Sequence, residues 1–501
     1  MMIPASLFTD GVILSRRKEI RIFGEASRGA EVRVRLHDPA GYLLAEGTGR
    51  EKDGRFIVCL APQEARTGCT LTLESGDEIR TVRDVAVGEV YLAGGQSNME
   101  LTLSGADEGP ALIRQHHDPL LRFFNVPKKA RCDRDQKQAV RECRWQAVEP
   151  EQGGENSAVA YFFARRLREA EPDLPVGIIG CYWGGTSITC WLEEETLRTL
   201  AEGTRYLERY AALCGRKSMR TYLKEEKLFN DTMDDWNGKV ERYRQEHPGA
   251  SWKEIQDVCG ICPWNPPVGP GSPYRPGGLA ESMLACVVPV TLTGILYYQG
   301  EEDADKTDRY DELMILLIRR WRQLFRDPAL PFLFVQLPMW LDDGAQDSFL
   351  WPKLRLAQAA ARDAVRNTGM VCLLDQGEFD NIHPGNKRVV GERLFGLAMK
   401  EIWHRGGEAS PRILGRRTEE GMLTLEADLP LTTSDGREPA LLEVAEEGGS
   451  FVPARAMIEG NLLHLTAPGV RFPLHARYAW TDYGTVNLFG PGDLPLEPFA
   501  L

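Results

Sequence analysis

The sequence predicts an α/β protein in which a central domain built on a parallel sheet is flanked at each end by a smaller β module. Three observations carry this expectation. After Gly88, buried apolar runs of strand length alternate with stretches of helical period, the rhythm of βα units around parallel strands. Before Gly88 and after about Ser410, short β-like runs separated by turn residues replace that rhythm, as in antiparallel sandwiches. The length, 501 residues, is also more than one ordinary domain needs at roughly 150 residues each. The expected division is 1–87, 88–410 and 411–501.

In the first module the β-like runs are Glu19 to Phe23, Glu31 to Leu36, Phe56 to Leu60 and Cys69 to Leu73. The central domain opens with Val90-Tyr91-Leu92-Ala93, a buried strand that stops at Gly94-Gly95 and delivers Ser97 to a sharp turn. Ser157 to Glu169 has helical spacing in Val159, Phe162, Phe163 and Leu167. It leads, past Pro172 and Pro175, to the strand Val176 to Gly180 and the glycine pair Gly184-Gly185. Residues 193–272 break the rhythm with a charged, helix-prone stretch and then irregular chain, read as an insertion over the sheet's carboxyl edge. Trp252 and Trp264 either line a cleft there or cover the insertion's own core. Strands at Gly294 to Tyr298, Phe332 to Leu337 and Met370 to Leu374 alternate with helices at Tyr310 to Phe325, Trp351 to Val365 and Gly391 to Trp403. The last module has β-like runs at Met422 to Leu425, Leu441 to Val444, Leu462 to Leu465 and Tyr478 to Trp480.

Composition excludes several classes. Charged residues are 27% and hydrophobic residues 43% of the chain, as in globular proteins, and the net charge of −13 argues against nucleic acid as a partner. No apolar run approaches a membrane span, and Met1 to Ser6 lacks the basic start of a secretory signal, so a cytoplasmic location is expected. Eleven cysteines, scattered from Cys59 to Cys372, suit a reducing compartment. Cys259 and Cys262 form a lone C-x-x-C without a second pair, read as loop cysteines, and neither metal nor cofactor is expected.

Ligands in open parallel sheets collect where the loops leave the carboxyl ends of the strands, and Ser97 stands there. A serine hydroxyl becomes a useful nucleophile once a neighbouring base takes its proton. Among eight histidines, His383 alone lies in a polar loop between a core strand and a helix. Asp380, three residues earlier, is a candidate to orient the ring, with Glu301 as its rival. The backbone N–H groups of Ser97 and Gly185 and the side-chain amide of Gln299 leave strand ends on the same edge, where they could hold the oxyanion of acyl transfer to water.

Gly95-Gln96-Ser97-Asn98-Met99-Glu100, Trp183-Gly184-Gly185-Thr186, Tyr298-Gln299-Gly300-Glu301 and Asp380-x-x-His383-Pro384 together resemble the successive blocks of the sialate O-acetylesterase family of SGNH hydrolases. Leu7 to Leu14 and the segments around Tyr478, Asn487 and Leu494 are also similar to that family's flanking β regions. The resemblance implies a flavodoxin-like three-layer α/β/α domain. In it Ser97 is the nucleophile, His383 the base, Asp380 or Glu301 the orienting carboxylate, and Ser97, Gly185 and Gln299 the oxyanion donors. It implies Gln96, Asn98, Trp183 and Thr186 as substrate contacts and an O-acetylated carbohydrate as substrate, most directly sialic acid. Acetylated xylan or another polysaccharide is the alternative, and a silent carbohydrate-binding protein a third. Where relatives often carry Q-G-E-S-N, this chain has Gln299-Gly300-Glu301-Glu302-Asp303, which adds negative charge.

Overall fold

The structure is a computed structural model that describes every residue except residue 248. Its core is a mixed α/β domain. Seven strands of the central sheet are β1 (Glu78–Gly95), β2 (Asp118–Asn125), β3 (Gln146–Val148), β4 (Val176–Tyr182), β5 (Gly294–Tyr298), β6 (Phe332–Val335) and β7 (Thr368–Val371), in the spatial order β3-β2-β4-β1-β5-β6-β7. All neighbours are parallel except the edge strand β3. Every residue of β4, β5 and β6, and of β1 from Val85 onward, is buried, as strands covered on both faces require.

Helices cover the sheet in two pairs. α2 (Ala158–Ala170) packs on α6 (Lys387–Glu401), where a Cβ at Gly391 would come within 2.6 Å of Phe162 Cβ. α4 (Tyr310–Leu324) packs on α5 (Leu350–Ala364). Successive side chains of a strand point to opposite faces. Tyr91 of β1 meets Phe163 of α2, ring centroids 4.8 Å apart, while Gly94, three residues on, leaves room for Trp321 of α4. Trp321 is fully buried, and its indole N–H donates to the Trp191 carbonyl at 3.0 Å. Truncating such a side chain costs about 3–5 kcal/mol.

The register of this sheet assembles the site. Gly95 at the end of β1 pairs with Tyr182 of β4 on one side and with Tyr298 of β5 on the other. The turns leaving those three residues carry Ser97, Gly184-Gly185 and Gln299 to Glu301, so three separate sequence blocks emerge side by side.

The flanking regions are β-rich. The boundary expected at 87/88 falls inside β1, a single strand whose first half pairs with Arg66–Ser75 and whose second half is the centre of the parallel sheet. Among the described residues, no helix is long and apolar enough to cross a membrane. The insertion is helical, as its composition suggests, with helices at Ala201–Cys214, α3 (Met219–Glu246) and Trp252–Cys259. In the last region Tyr478 to Trp480 is not one strand: the strand is His475–Tyr478, and Ala479 adopts a left-handed conformation, φ 55°, that turns the chain.

Candidate active site

Ser97 is delivered by a turn that only glycine can make. Gly95 has φ 133°, and a Cβ there would lie 2.0 Å from the Tyr298 carbonyl oxygen. Gln96 then locks the turn to the neighbouring block. Its N–H donates to the Tyr298 carbonyl at 3.0 Å, and its Oε1 accepts from the backbone N–H of Gly300 and of Glu302, each at 3.3 Å. The short helix α1 (Ser97–Glu100) begins immediately, so Ser97 takes the first helical position, whose N–H has no intrahelical acceptor.

His383 arrives from the loop that follows β7 and returns along the sheet edge. Its Nε2 lies 2.8 Å from Ser97 Oγ, and its backbone N–H donates to Asn381 Oδ1 at 3.0 Å. With the ring proton on Nδ1, Nε2 accepts from the serine hydroxyl, the polarity a general base needs. Surrounding protein and, second, the Lys387 ammonium disfavour the imidazolium and lower the His383 pKa to about 4. The residue as a whole is exposed, at the rim of the site.

Neither expected carboxylate reaches that ring. Asp380, at φ 61°, accepts the Asp343 backbone N–H on Oδ1 at 3.0 Å, and its own N–H donates to the Leu341 carbonyl. Glu301 is buried; its Oε1 accepts from Asn98 Nδ2 at 2.6 Å and its Oε2 has no hydrogen-bond partner among the described residues. Burial raises the Glu301 pKa. The structure therefore brings together a serine and a histidine, with both carboxylates nearby but engaged elsewhere.

Of the expected oxyanion donors, the two backbone N–H groups have no acceptor among the described residues, whereas the side-chain amide is occupied. A Cβ on Gly184 would be 3.3 Å from Ser97 Cβ, so the glycine pair lies against the serine. Gly184 N–H is already bonded to Glu100 Oε2 at 2.5 Å, whereas Gly185, with φ 69°, donates to no acceptor among the described residues. Gln299 corrects the expectation. Its Nε2 donates to the Thr186 carbonyl at 3.1 Å and to Asp303 Oδ2 at 2.6 Å, so both amide hydrogens are spent. Its Oε1 accepts from Tyr310 at 2.8 Å.

Three of the four expected substrate contacts are also committed to protein. Gln96 clasps the 300–302 turn. Asn98, fully buried, joins Glu301, the Ile382 carbonyl and Lys387. Thr186, fully buried, donates to the Trp183 carbonyl and accepts from the Trp191 indole. Trp183 stays half-exposed, with Lys128 Nζ 4.9 Å from its ring centre. The insertion divides its two tryptophans. Trp264 lies over Gly185, where a Cβ would be 2.3 Å from the indole, and packs edge-on against Tyr274 at 5.8 Å. Trp252 packs on Trp236 inside the insertion.

Sequence reading missed Asp303. It is buried and accepts from Ser187 Oγ, Tyr206 OH, the Ile188 N–H and Gln299 Nε2, tying the two loops of the site together. The acidic run Glu301-Glu302-Asp303 was its only signal, and that run reads equally well as solvated charge. Lys387 was also missed, because a lysine opening a helix looks like surface.

The model of the carbohydrate esterase, sialic acid-specific acetylesterase family matches residues 275–399. Sialate O-acetylesterase of Mus musculus is 26% identical over 74% of this chain and 68% of its own length, and that of Rattus norvegicus is 25% identical over 96% and 90%. The crystal structure of a carbohydrate acetylesterase from Xanthomonas citri superposes with a TM-score of 0.77 at 26% identity, covering 100% of this chain and 99% of that one. In sequence and in fold alike, the resemblance to the sialate O-acetylesterase family and to carbohydrate acetylesterases holds.

Proposed function

We propose that this chain is a serine esterase that hydrolyses O-acetyl esters of carbohydrates, with O-acetylated sialic acid as the leading substrate. The single observation that carries the reading is the 2.8 Å contact between Ser97 Oγ and His383 Nε2, at the mouth of a glycine turn with free backbone N–H groups. Ser97 Oγ attacks the acetyl carbonyl while His383 Nε2 takes its proton, and the oxyanion forms beside the N–H groups of Ser97 and Gly185. As the bond from the acetyl carbon to the sugar oxygen breaks, the imidazolium protonates that oxygen and the sugar leaves as an alcohol, with an acetyl ester left on Ser97. Water, deprotonated by the same nitrogen, releases acetate and restores the serine. Every step is served by groups of this chain.

The helix pairs on either side of the parallel sheet support reading residues 88–410 as a flavodoxin-like three-layer SGNH domain, and the β-rich ends as sandwich-like modules. The unpaired cysteines support a cytoplasmic setting. A neutral acetylated polysaccharide such as acetyl-xylan is the second reading. Its support is the carboxylates of Asp342, Asp343 and Asp380 in the loops beside His383, which would repel an anionic sugar acid, while the similarity to sialate O-acetylesterases keeps the first reading ahead.

The test measures acetate release from O-acetylated sialic acid and from acetyl-xylan by the unaltered protein and by Ser97→Ala and His383→Ala. Each substitution should lower turnover on the order of 10⁴-fold or more with the fold retained. Activity retained in the Ser97→Ala protein would overturn the reading, and the ratio between the two substrates decides the sugar.

A further inference from the structure

Beside the reacting pair lies a buried polar cluster that the acyl-transfer steps do not use. Asn98 follows Ser97 in the chain and is wholly buried. Its Nδ2 donates to Glu301 Oε1 at 2.6 Å and to the carbonyl of Ile382, the residue before His383, at 3.0 Å. Its Oδ1 accepts from Lys387 Nζ at 2.6 Å. One amide thus joins the serine turn, the Gln299 to Glu301 block, the histidine loop and the start of α6. Lys387 is 1% exposed, and its Nζ lies 5.8 Å from the centre of the Tyr298 ring. A buried ammonium is a poor way to stabilise a fold, because well-packed apolar residues do as well or better. Its presence here asks for a functional reason.

Resting on the reading of Ser97 and His383 as nucleophile and base, we infer that Asn98 and Lys387 are positioning residues for that pair. Asn98 fixes the separation of hydroxyl and imidazole, and the charge of Lys387 keeps the imidazole neutral and ready to accept a proton. The groups that act electrostatically on Lys387 are Glu301 from the turn after β5, Glu378 from the loop after β7 and Asp107 from the segment against Gly385. All three favour the ammonium. Burial opposes them and prevails, bringing the Lys387 pKa down to about 8, so the charge is present at neutral and acidic pH. There the ammonium repels a second positive charge on His383, adding to burial, which is the larger cause of the lowered imidazole pKa. A general base that stays unprotonated keeps working as the medium becomes acidic.

The test is the pH profile of kcat/KM for 4-nitrophenyl acetate, from about pH 4 to pH 9, which reports the free enzyme's base. Removing the charge in Lys387→Met should move the midpoint of the acid limb upward by about 1 pH unit. Lys387→Gln, which retains an amide donor for Asn98, should do the same, and Lys387→Arg should hold the midpoint in place. Asn98→Ala should lower the plateau kcat about tenfold or more, with KM changed less than about threefold and the midpoint unmoved. An unmoved midpoint in whichever neutral Lys387 variant folds, or an unchanged plateau in Asn98→Ala, overturns the inference while the pair stands. Full activity in Ser97→Ala and His383→Ala would instead overturn the reading on which it rests.

Discussion

Ser97 and His383 are 286 positions apart, and a single 2.8 Å contact joins them. Each was visible separately in the sequence, one as a hydroxyl after two glycines at a strand end, the other as an imidazole in a polar loop. What the sequence could not show is which partners the polar neighbours take. Asp380 is only three residues from the histidine, yet its left-handed backbone and its bond to the Asp343 N–H hold it on another loop. Asp380→Asn should therefore lower kcat/KM less than about tenfold. A carboxylate acting on the ring as the aspartate of a serine protease triad does would cost on the order of 10⁴-fold. Steady-state kinetics on acetylated sugar decides between these outcomes. The pH behaviour follows from the same surroundings. Catalysis needs neutral His383, so activity rises as pH increases through its pKa; a pKa below the usual imidazole value leaves the protein active between about pH 5 and pH 6, where an unperturbed histidine is largely protonated.

Elements were the most legible scale, and their ends the least. Gly294–Tyr298 coincides with its expected range because a continuous buried run is bounded by polar residues on both sides. The strand Asp118–Asn125, second from the sheet's edge, was missed because its charged and polar ends conceal a short apolar run that Arg122 interrupts. α6 begins at Lys387, four residues before the expected start at Gly391, since Asn386 caps it by accepting the Val389 N–H and the buried Lys387 does not look like a core position. The turn after β4 shows how an element's end becomes a site. Gly185 combines φ 69° with an indole where its Cβ would stand, so Gly185→Ala must both strain the backbone by about 1–2 kcal/mol and displace Trp264. It should lower kcat at least about tenfold through the misplaced oxyanion donor, with circular dichroism unchanged. Trp264→Ala removes only the apolar wall and should raise KM for an acetylated sugar more than it lowers kcat.

At the scale of the whole molecule, the expected boundary near residue 410 is crossed by a shared core. Met339, Cys372 and Leu374 of the α/β domain are buried in one cluster with Leu425, Leu463, Tyr478 and Leu496. Polar groups cross the same junction. Arg355 of α5, fully buried, donates through Nη2 to the carbonyls of Ala479 and Thr481 at 3.0 and 2.6 Å. Asp482 accepts the Ser348 and Trp351 N–H groups at 2.7 and 3.0 Å, closing the open end of the same helix from the other module. α5 in turn sends Gln358 to the Gln299 carbonyl at 3.2 Å, so the last module braces the helix that braces the site. Asp482→Ala should therefore destabilise the protein by about 1–3 kcal/mol, from buried donors left without an acceptor. Removing residues 411–501 should do more, because it uncovers apolar core and strips Arg355 Nη2 of both its acceptors at once. A chain ending at residue 410 should form aggregates on size-exclusion chromatography and release no acetate. A monomeric, active fragment of that length would show that the module is an attachment and not part of the fold.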